Sequence, residues 1–224
     1  MRKRSAISTY PPTPIQSYIM STLLHVDSSP LFEKSISRTL AAEFVRVWRE
    51  KNPLGRVSRR DLVSLDIPPI DASWIESAFL DPALRSTSQQ ASLALSDQLI
   101  AELIEADEIV IGVPMHNFSP PAKFKLWIDQ IVRVGKTYAQ KDGKRVGLLS
   151  GKTVHAFVAS GGMYLADSPT EKFDFVSPYL HTVFSYMGID KVHVHSAGGT
   201  AAMLFGNVSR DAFLQPHIAA IDAS

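Results

Sequence analysis

DEIVIGVPMHNFSPPAKFKLWIDQIVRVG, at residues 107–135, joins a predicted strand, a loop and a predicted helix. Its first part, 108–113, is a short apolar run rich in Ile and Val, which favours a strand buried on both faces, as in a parallel sheet. Pro114 ends the run because proline lacks the N–H that a sheet ladder needs. A stripe of apolar residues at helical spacing then predicts a helix that Gly135 closes. The stripe consists of Phe124, Trp127, Ile128, Ile131 and Val132.

The loop between this strand and this helix contains Met115, His116, Asn117 and Phe118. In open α/β sheets, ligands bind at the carboxyl ends of the strands, and this loop lies at such an end. Its apolar and aromatic side chains and its amide suit the edge of a flat heterocycle, so we predict that it faces a ligand. The alternative is a loop that only plugs the core.

The rest of the chain alternates between strand-like runs and helix-like stretches. Strands are predicted at 22–26, 56–62, 108–113, 153–158 and 191–195, and helices from Ser37, near 74–80, at 91–105, after the central loop and from Ser177. Such alternation means a parallel sheet with helices on both faces. We therefore predict an α/β fold with a flavodoxin-like, doubly wound, five-stranded parallel sheet of order 2-1-3-4-5.

Two segments of this pattern carry less regular signals. Residues 64–90 hold three prolines and are predicted to form a long excursion with a short helix, and residues 140–151 a hairpin or a surface loop. For the helix at 91–105, the predicted buried side is Leu95, Leu99, Leu103 and Ile104.

Two further loops follow predicted strands at the same end of the sheet. The first holds Ser29, Ser35 and Ser37 close to a helix start, where hydroxyls, free N–H groups and the helix dipole make an anion site. The other holds Gly161 and Gly162, which let backbone N–H groups approach a ligand closely. The alternatives are serines that only cap the helix and a plain tight turn. In the predicted strand order the three loops converge on one crevice.

Composition narrows the classes of function. The 224 residues suit one α/β domain, and a net charge of +1 gives no case for binding nucleic acid or an anionic membrane. The absence of cysteine excludes disulfides and thiolate chemistry and fits a cytoplasmic location. No apolar run reaches the roughly 18 residues that a membrane span needs. Residues 1–19 have a basic start and three prolines, so we expect a disordered extension before a single domain at 20–224.

Other chemistry has weaker support. His193 and His195 share a strand face, but a polar sheet face is a commoner meaning than a metal site, and we predict no metal. No nucleophile elbow supports a serine hydrolase near His25, Asp27 and Ser28. No glycine-rich phosphate motif marks NAD or ATP as a tightly held ligand.

Together these segments resemble one known family. The opening strand and serines read LLHVDSSP (23–30) and SISR (35–38), and the central loop and helix read PMHNF (114–118) and KLWID (125–129). ASGG (159–162) and SPYLHTVFSYMGID (177–190) complete the set. In this order and spacing, from about Met20 to about Gly199, they resemble the FMN-dependent NADH-azoreductase and NAD(P)H quinone reductase family of flavodoxin-like flavoproteins.

The resemblance implies a set of cofactor-binding residues, carried over one by one from the matching motifs. His116 stands where the family often has Tyr or Trp, and Ala159-Ser160 stands where Ser-Arg can occur, so these positions bear on substrate and nicotinamide preference. The implied FMN-binding residues are Ser29, Ser35, Ile36, Ser37, Met115, His116, Asn117, Phe118, Ala159, Ser160, Gly161 and Gly162.

The resemblance also implies an activity. It is the two-electron, ping-pong reduction of a quinone or an azo compound, with FMN bound, NADH or NADPH as donor and no catalytic protein residue. It implies a homodimer as well. The competing interpretations are a non-enzymatic flavodoxin-like electron carrier and, more distantly, a serine hydrolase without flavin.

Overall fold

The computed structural model describes residues 20–223, and it places one five-stranded sheet between two layers of helices. The strands are β1 Thr22–Asp27, β2 Arg56–Asp61, β3 Glu108–Pro114, β4 Tyr138–Lys141, β5 Lys144–Gly147, β6 Thr153–Ser160 and β7 Lys191–Gly198. The helices are α1 Ile36–Lys51, α2 Ala72–Phe79, α3 Thr87–Glu105, α4 Ala122–Ile131, α5 Ser177–Tyr186, α6 Ala201–Leu204 and α7 Arg210–Asp222. The extension expected at 1–19 lies outside the described residues.

The main sheet has the order β2-β1-β3-β6-β7, and all of its neighbours pair in parallel. Taken in chain order, its five strands follow the predicted pattern 2-1-3-4-5, so the predicted fold class is confirmed. Strands β4 and β5 pair with each other as an antiparallel hairpin, so of the two alternatives predicted for 140–151 the hairpin is present, beginning two residues earlier.

Each face of the sheet has its own apolar core, because successive side chains of a strand point to opposite faces. Leu24 belongs to the larger core, which α3, α4 and α5 cover, and Leu23 belongs to the core under α1 and α7. Trp127 of α4 is 1% exposed and lies between the rings of Phe124 and Phe184. The two apolar cores therefore pack against opposite faces of the same sheet.

The helix after the central loop ends earlier than predicted. Helix α4 stops at Ile131, and Gly135 lies four residues beyond it in a turn, with φ +74°. The Thr137 side chain explains the early end, since its hydroxyl donates to the Ile131 carbonyl at 2.7 Å and accepts from the Arg133 N–H at 3.0 Å. These bonds satisfy backbone groups that a further helical turn would have used.

The predicted inner side of α3 is partly wrong. Ile104 is 52% exposed, whereas Ile100 is buried. Leu93, Ser96, Leu99, Ile100 and Leu103 form the buried side. Within residues 20–223, no helix combines the length and apolarity that a membrane crossing requires.

Candidate functional site

The three predicted loops lie side by side because β1, β3 and β6 are neighbours in the sheet. Asp27 of β1 pairs with Gly112 of β3, and Pro114 pairs with Ala159 of β6, so the three strands end at the same edge. Ser28 donates from its hydroxyl to the Gly112 carbonyl at 2.8 Å. Met115 donates its N–H to the Ala159 carbonyl at 2.7 Å. These bonds fix the starts of the loops relative to one another.

The first loop leads into the N-terminus of α1. Ser35 is the N-cap, and its hydroxyl oxygen accepts the Arg38 N–H at 3.3 Å. The Ser35 and Ser37 hydroxyl oxygens are 3.2 Å apart, and both side chains are buried, as is Ser29. The N–H groups of Ile36 and Ser37 have no intrahelical acceptor at this end of a helix. The first turn carries no acidic residue, so hydroxyls, N–H groups and the helix dipole favour an anion here.

The second loop is held in a strained backbone conformation. Asn117 and Phe118 have φ values of +48° and +72°, in the left-handed region that residues other than glycine seldom adopt. His116 and Ser119 exchange backbone hydrogen bonds at 2.9 and 3.1 Å across the loop. Phe118 stays 46% exposed. These two hydrogen bonds help to hold the loop in this conformation.

The segment after β6 folds over this second loop. Phe175 donates its N–H to the Phe118 carbonyl at 3.2 Å, and the Phe118 ring lies 5.6 Å from Phe173 and 6.4 Å from Tyr164, centroid to centroid. An aromatic cluster therefore lies against the predicted ligand-facing loop.

The carbonyls of the third loop are paired with the segment that follows β7. The carbonyls of Ser160, Gly161 and Gly162 accept hydrogen bonds from residues 199–201, and Ser160 also donates its hydroxyl to the Gly162 carbonyl. A Cβ on Gly161 would meet only Ala201, at 3.9 Å, so the space beside Gly161 is open. A Cβ on Gly162 would lie 2.9 Å from the Tyr164 hydroxyl, so a larger residue there would require the Tyr164 side chain to shift.

An ionic network around the buried Asp27 underlies the first loop, and the sequence did not predict it. The Asp27 side chain is fully buried, with Arg59 at 2.9 Å, His25 at 3.3 Å and Arg38 at 3.4 Å. Burial by itself raises the pKa of Asp27, but hydrogen bonding and attraction from His25, Arg59 and Arg38 outweigh it and hold that pKa below its ordinary value. The available signal was an aspartate that ends an apolar run and an arginine in the first turn of a helix.

The histidines singled out in the sequence form an aromatic row on the α1 and α7 side of the sheet. His193 and His195 stack on His155, with ring centroids 5.1 and 5.9 Å apart. Burial and the two neighbouring imidazoles lower the pKa of His195 to about 4, so its ring is uncharged at neutral pH. In the part of the chain that the structure describes, no group of three or more His, Cys, Asp or Glu side chains could hold a metal ion.

The geometry also bears on the hydrolase alternative. Ser28 is 1% exposed and its hydroxyl is committed to the Gly112 carbonyl, while the His25 imidazole faces Asp27. A nucleophilic serine needs a base within hydrogen-bond reach of its hydroxyl and an open path to substrate. This set of side chains provides neither.

Comparison with known proteins adds an independent line of observation. A sequence model of the Flavodoxin-like fold family matches residues 21–223. The chain is 50% identical, over 197 residues, to an FMN-dependent NADH:quinone oxidoreductase of Acidobacterium capsulatum, with 88% of this chain and 95% of that protein covered. It is 42% identical, over 204 residues, to FMN-dependent NADH:quinone oxidoreductase 3 of Burkholderia lata, with 91% and 99% covered.

Solved structures share the fold at lower identity. An azoreductase from Bacillus anthracis superposes with a TM-score of 0.80 at 23% identity, covering 92% of this chain and 100% of that one. An FMN-dependent NADH-azoreductase from the same species, solved in complex with FMN, has a TM-score of 0.79 at 22% identity, with 91% and 97% covered.

Proposed function

The chain belongs to the Flavodoxin-like fold family, and from that premise we propose that it is an FMN-dependent oxidoreductase that uses NADH or NADPH to reduce quinones. The observation that carries the proposal is that three different loops start side by side at one edge of the sheet. One loop suits a phosphate, one suits a flat ring and one supplies backbone donors. The name that the 50%-identical relative carries supports the same activity.

The residues of the crevice fit FMN by their chemistry. Ser29, Ser35 and Ser37, with the N–H group of Ile36, would hold the phosphate at the N-terminus of α1. The second loop, Met115 to Phe118, would border the ring. The third loop, Ala159 to Gly162, would donate backbone hydrogen bonds to the ring's polar edge, and the open space beside Gly161 leaves room for close approach.

When bound, FMN supplies the two-electron chemistry that carries hydride equivalents from NADH or NADPH to the acceptor. The protein's own part is to bind, to orient and to exclude water, and no side chain needs to act as a nucleophile. Asp129 of α4, a carboxylate close to the site in sequence, forms an ion pair with Lys125 four residues earlier and is not needed as a base.

The proposed class of electron acceptor is argued from the names of the relatives and from the aromatic side chains beside the second loop. The names of the relatives mention quinones, and the exposed ring of Phe118 beside Phe173 and Tyr164 suits a flat aromatic acceptor. We include azo compounds as further acceptors on the same ground of shape. NAD(P)H as donor and a chain without cysteine fit a cytoplasmic location, and we propose one catalytic domain over 20–224.

An absorbance experiment tests the cofactor and the first half of the reaction. The purified protein is incubated with FMN, desalted, and then mixed anaerobically with NADH or NADPH. We expect the visible flavin absorption to be retained and then to bleach. Flavin that stays bound but bleaches with neither nucleotide would favour the electron-carrier alternative. A protein that retains no flavin would contradict the proposed function.

We also propose a homodimer, because several large apolar side chains on and near the second and third loops are exposed. Monomeric proteins rarely expose large contiguous apolar patches. These exposed residues are Phe118, Met163, Leu165, Phe173, Phe175, Leu204 and Phe205. Light scattering over a dilution series should give twice the chain mass of 24.6 kDa. A single-chain mass at every concentration would contradict the dimer.

A further inference from the structure

Arg38 is a buried arginine in an unusual place. It is the third residue of α1, and it is 7% exposed. A positive charge in the first turn opposes the helix dipole, and burying an arginine is costly unless its charge is paired. Both effects destabilise a buried arginine at this position. Other contacts of Arg38 must therefore offset them.

The side chain and backbone of Arg38 contact the first loop at three points. The backbone N–H donates to the Ser35 hydroxyl, and the guanidinium Nε donates to the Ser29 carbonyl at 2.8 Å. The guanidinium carbon lies 5.1 Å from the centroid of the Phe32 ring, and Phe32 has a φ of +45°. The loop from Ser29 to Ser35 therefore contacts Arg38 through its backbone N–H, its Nε and its guanidinium carbon.

Two strand ends fix the guanidinium on its other side. Asp61, the last residue of β2, accepts both terminal nitrogens of Arg38, at 2.7 and 2.8 Å, and Asp27 lies 3.4 Å away. Burial opposes the charged form, but the hydrogen bonds to Asp61 and the attraction of Asp27 outweigh it, so the pKa of Arg38 is raised. A guanidinium group that donates two parallel hydrogen bonds to one carboxylate has one preferred orientation.

The charges of this network balance beside the anion site. Arg38 and Arg59 carry two positive charges, and Asp27 and Asp61 carry two negative ones. The hydrogen bonds from Arg38 hold the pKa of Asp61 below its ordinary value, so both carboxylates are ionised at neutral pH. The network thus shapes the loop without adding net negative charge next to a bound phosphate.

We propose that Arg38 is the positioning residue for the phosphate of FMN and that Asp61 holds it in place, so that the edge strand β2 sets cofactor affinity through one ion pair. This inference rests on the proposed function, since FMN is the ligand. Arg38 acts through the Ser29 carbonyl and the Ser35 cap, and its role is to keep the serine hydroxyls and the first-turn N–H groups in their binding arrangement.

The variants Arg38→Met, Arg38→Lys and Asp61→Asn separate the parts of this arrangement. Arg38→Met removes the contacts with the loop and leaves two carboxylates facing Arg59, so we expect the FMN dissociation constant to rise at least about tenfold. Arg38→Lys keeps the charge but not the fork, and Asp61→Asn keeps the shape but not the charge. Both should give intermediate losses. The double variant Arg38→Met/Asp61→Asn should bind FMN no more weakly than Arg38→Met alone, because Asp61 acts through Arg38.

Arg60→Lys is the matched control. Arg60 is the neighbour of Asp61 on β2, and it forms a forked pair with Glu102 of α3, on the other face of the sheet from Arg38. Breaking that fork should leave the FMN dissociation constant within about twofold of the parent value. The kcat measured at saturating FMN should also stay within about twofold of the parent value in Arg60→Lys, since Arg60 pairs with Glu102 away from the first loop.

FMN titration by flavin fluorescence at 25 °C and thermal unfolding of the FMN-free protein are measured on the same samples. A purely structural role would lower the unfolding temperature and leave the dissociation constant unchanged. Folded variants that bind FMN as tightly as the parent would overturn the proposal. If Arg38→Met does not fold, Arg38→Lys and Asp61→Asn decide by the same criterion. A parent protein that itself binds no FMN would instead refute the proposed function.

Discussion

Replacing Ser35 with aspartate is expected to weaken FMN binding at least about a hundredfold while the helix it caps stays folded, a loss of about 2.7 kcal/mol of binding free energy. Ser35 is the N-cap of α1 and is 2% exposed, beside the buried Ser37 hydroxyl. Aspartate caps a helix about as well as serine does, because its carboxylate also accepts the first-turn N–H groups. The substitution therefore changes the charge at the site and keeps the local fold.

The size of the loss follows from electrostatics at short range. The phosphate of FMN would bind where the Ser35 hydroxyl and the first-turn N–H groups meet, so the new carboxylate would face it at close to contact distance. Two unit charges of like sign about 4 Å apart repel by roughly 4 kcal/mol at the effective dielectric constant of a partly buried site. The carboxylate would also occupy the N–H donors that a phosphate needs.

Ser86→Asp provides the control for this experiment. Ser86 is the N-cap of α3, and its hydroxyl accepts the Gln89 N–H just as the Ser35 hydroxyl accepts the Arg38 N–H. Ser86→Asp should unfold near the parent temperature and keep its FMN affinity, whereas Ser35→Asp should lose FMN in a titration. Equal FMN affinity in the two variants would show that the phosphate does not bind at the N-terminus of α1.

The sequence predicted the sheet and the three loops because their signals are local. The apolar run at 108–113, Pro114 and the helical stripe after it lie within one short stretch, and each fixes one step of the β3–loop–α4 unit. Parallel strands then have few topologies open to them. The positions of the serine, aromatic and glycine loops follow from that order without any knowledge of side-chain contacts.

What the sequence did not predict depends on contacts between distant residues. Arg38 and Asp61 are 23 positions apart in the chain. The residues around each of them do not indicate that the two side chains will form an ion pair. The end of α4 is set by the Thr137 side chain, six residues beyond Ile131. The buried side of α3 could not be chosen from periodicity because leucine and isoleucine occur on more than one of its faces, so Ile104 was wrongly favoured over Ile100.

Replacing Gly112 with valine is expected to give the largest loss of stability and to weaken FMN binding as well. Gly112 lies buried in the middle of β3, and a Cβ there would be 3.0 Å from the Ser37 carbonyl oxygen and 3.1 Å from the Asp27 carboxylate. Contacts this short require movement, and the Ser37 carbonyl belongs to the backbone of α1. Overpacking of this kind costs about 1–3 kcal/mol, and valine adds two further methyl groups to it.

The strain at Gly112 would reach the site because α1 starts where it presses on β3. Moving Ser37 away from the sheet displaces the first-turn N–H groups, so affinity for FMN should fall together with stability. A loss of about 3 kcal/mol corresponds to roughly 6–12 °C in unfolding temperature for a domain of this size. Gly112→Ala should give a smaller shift, and Gly161→Ala, whose added Cβ meets only Ala201, should leave the FMN-free protein as stable as the parent. Thermal unfolding of the three FMN-free variants checks this order. An unchanged unfolding temperature in Gly112→Val would mean that α1 does not pack against β3 as closely as the structure shows.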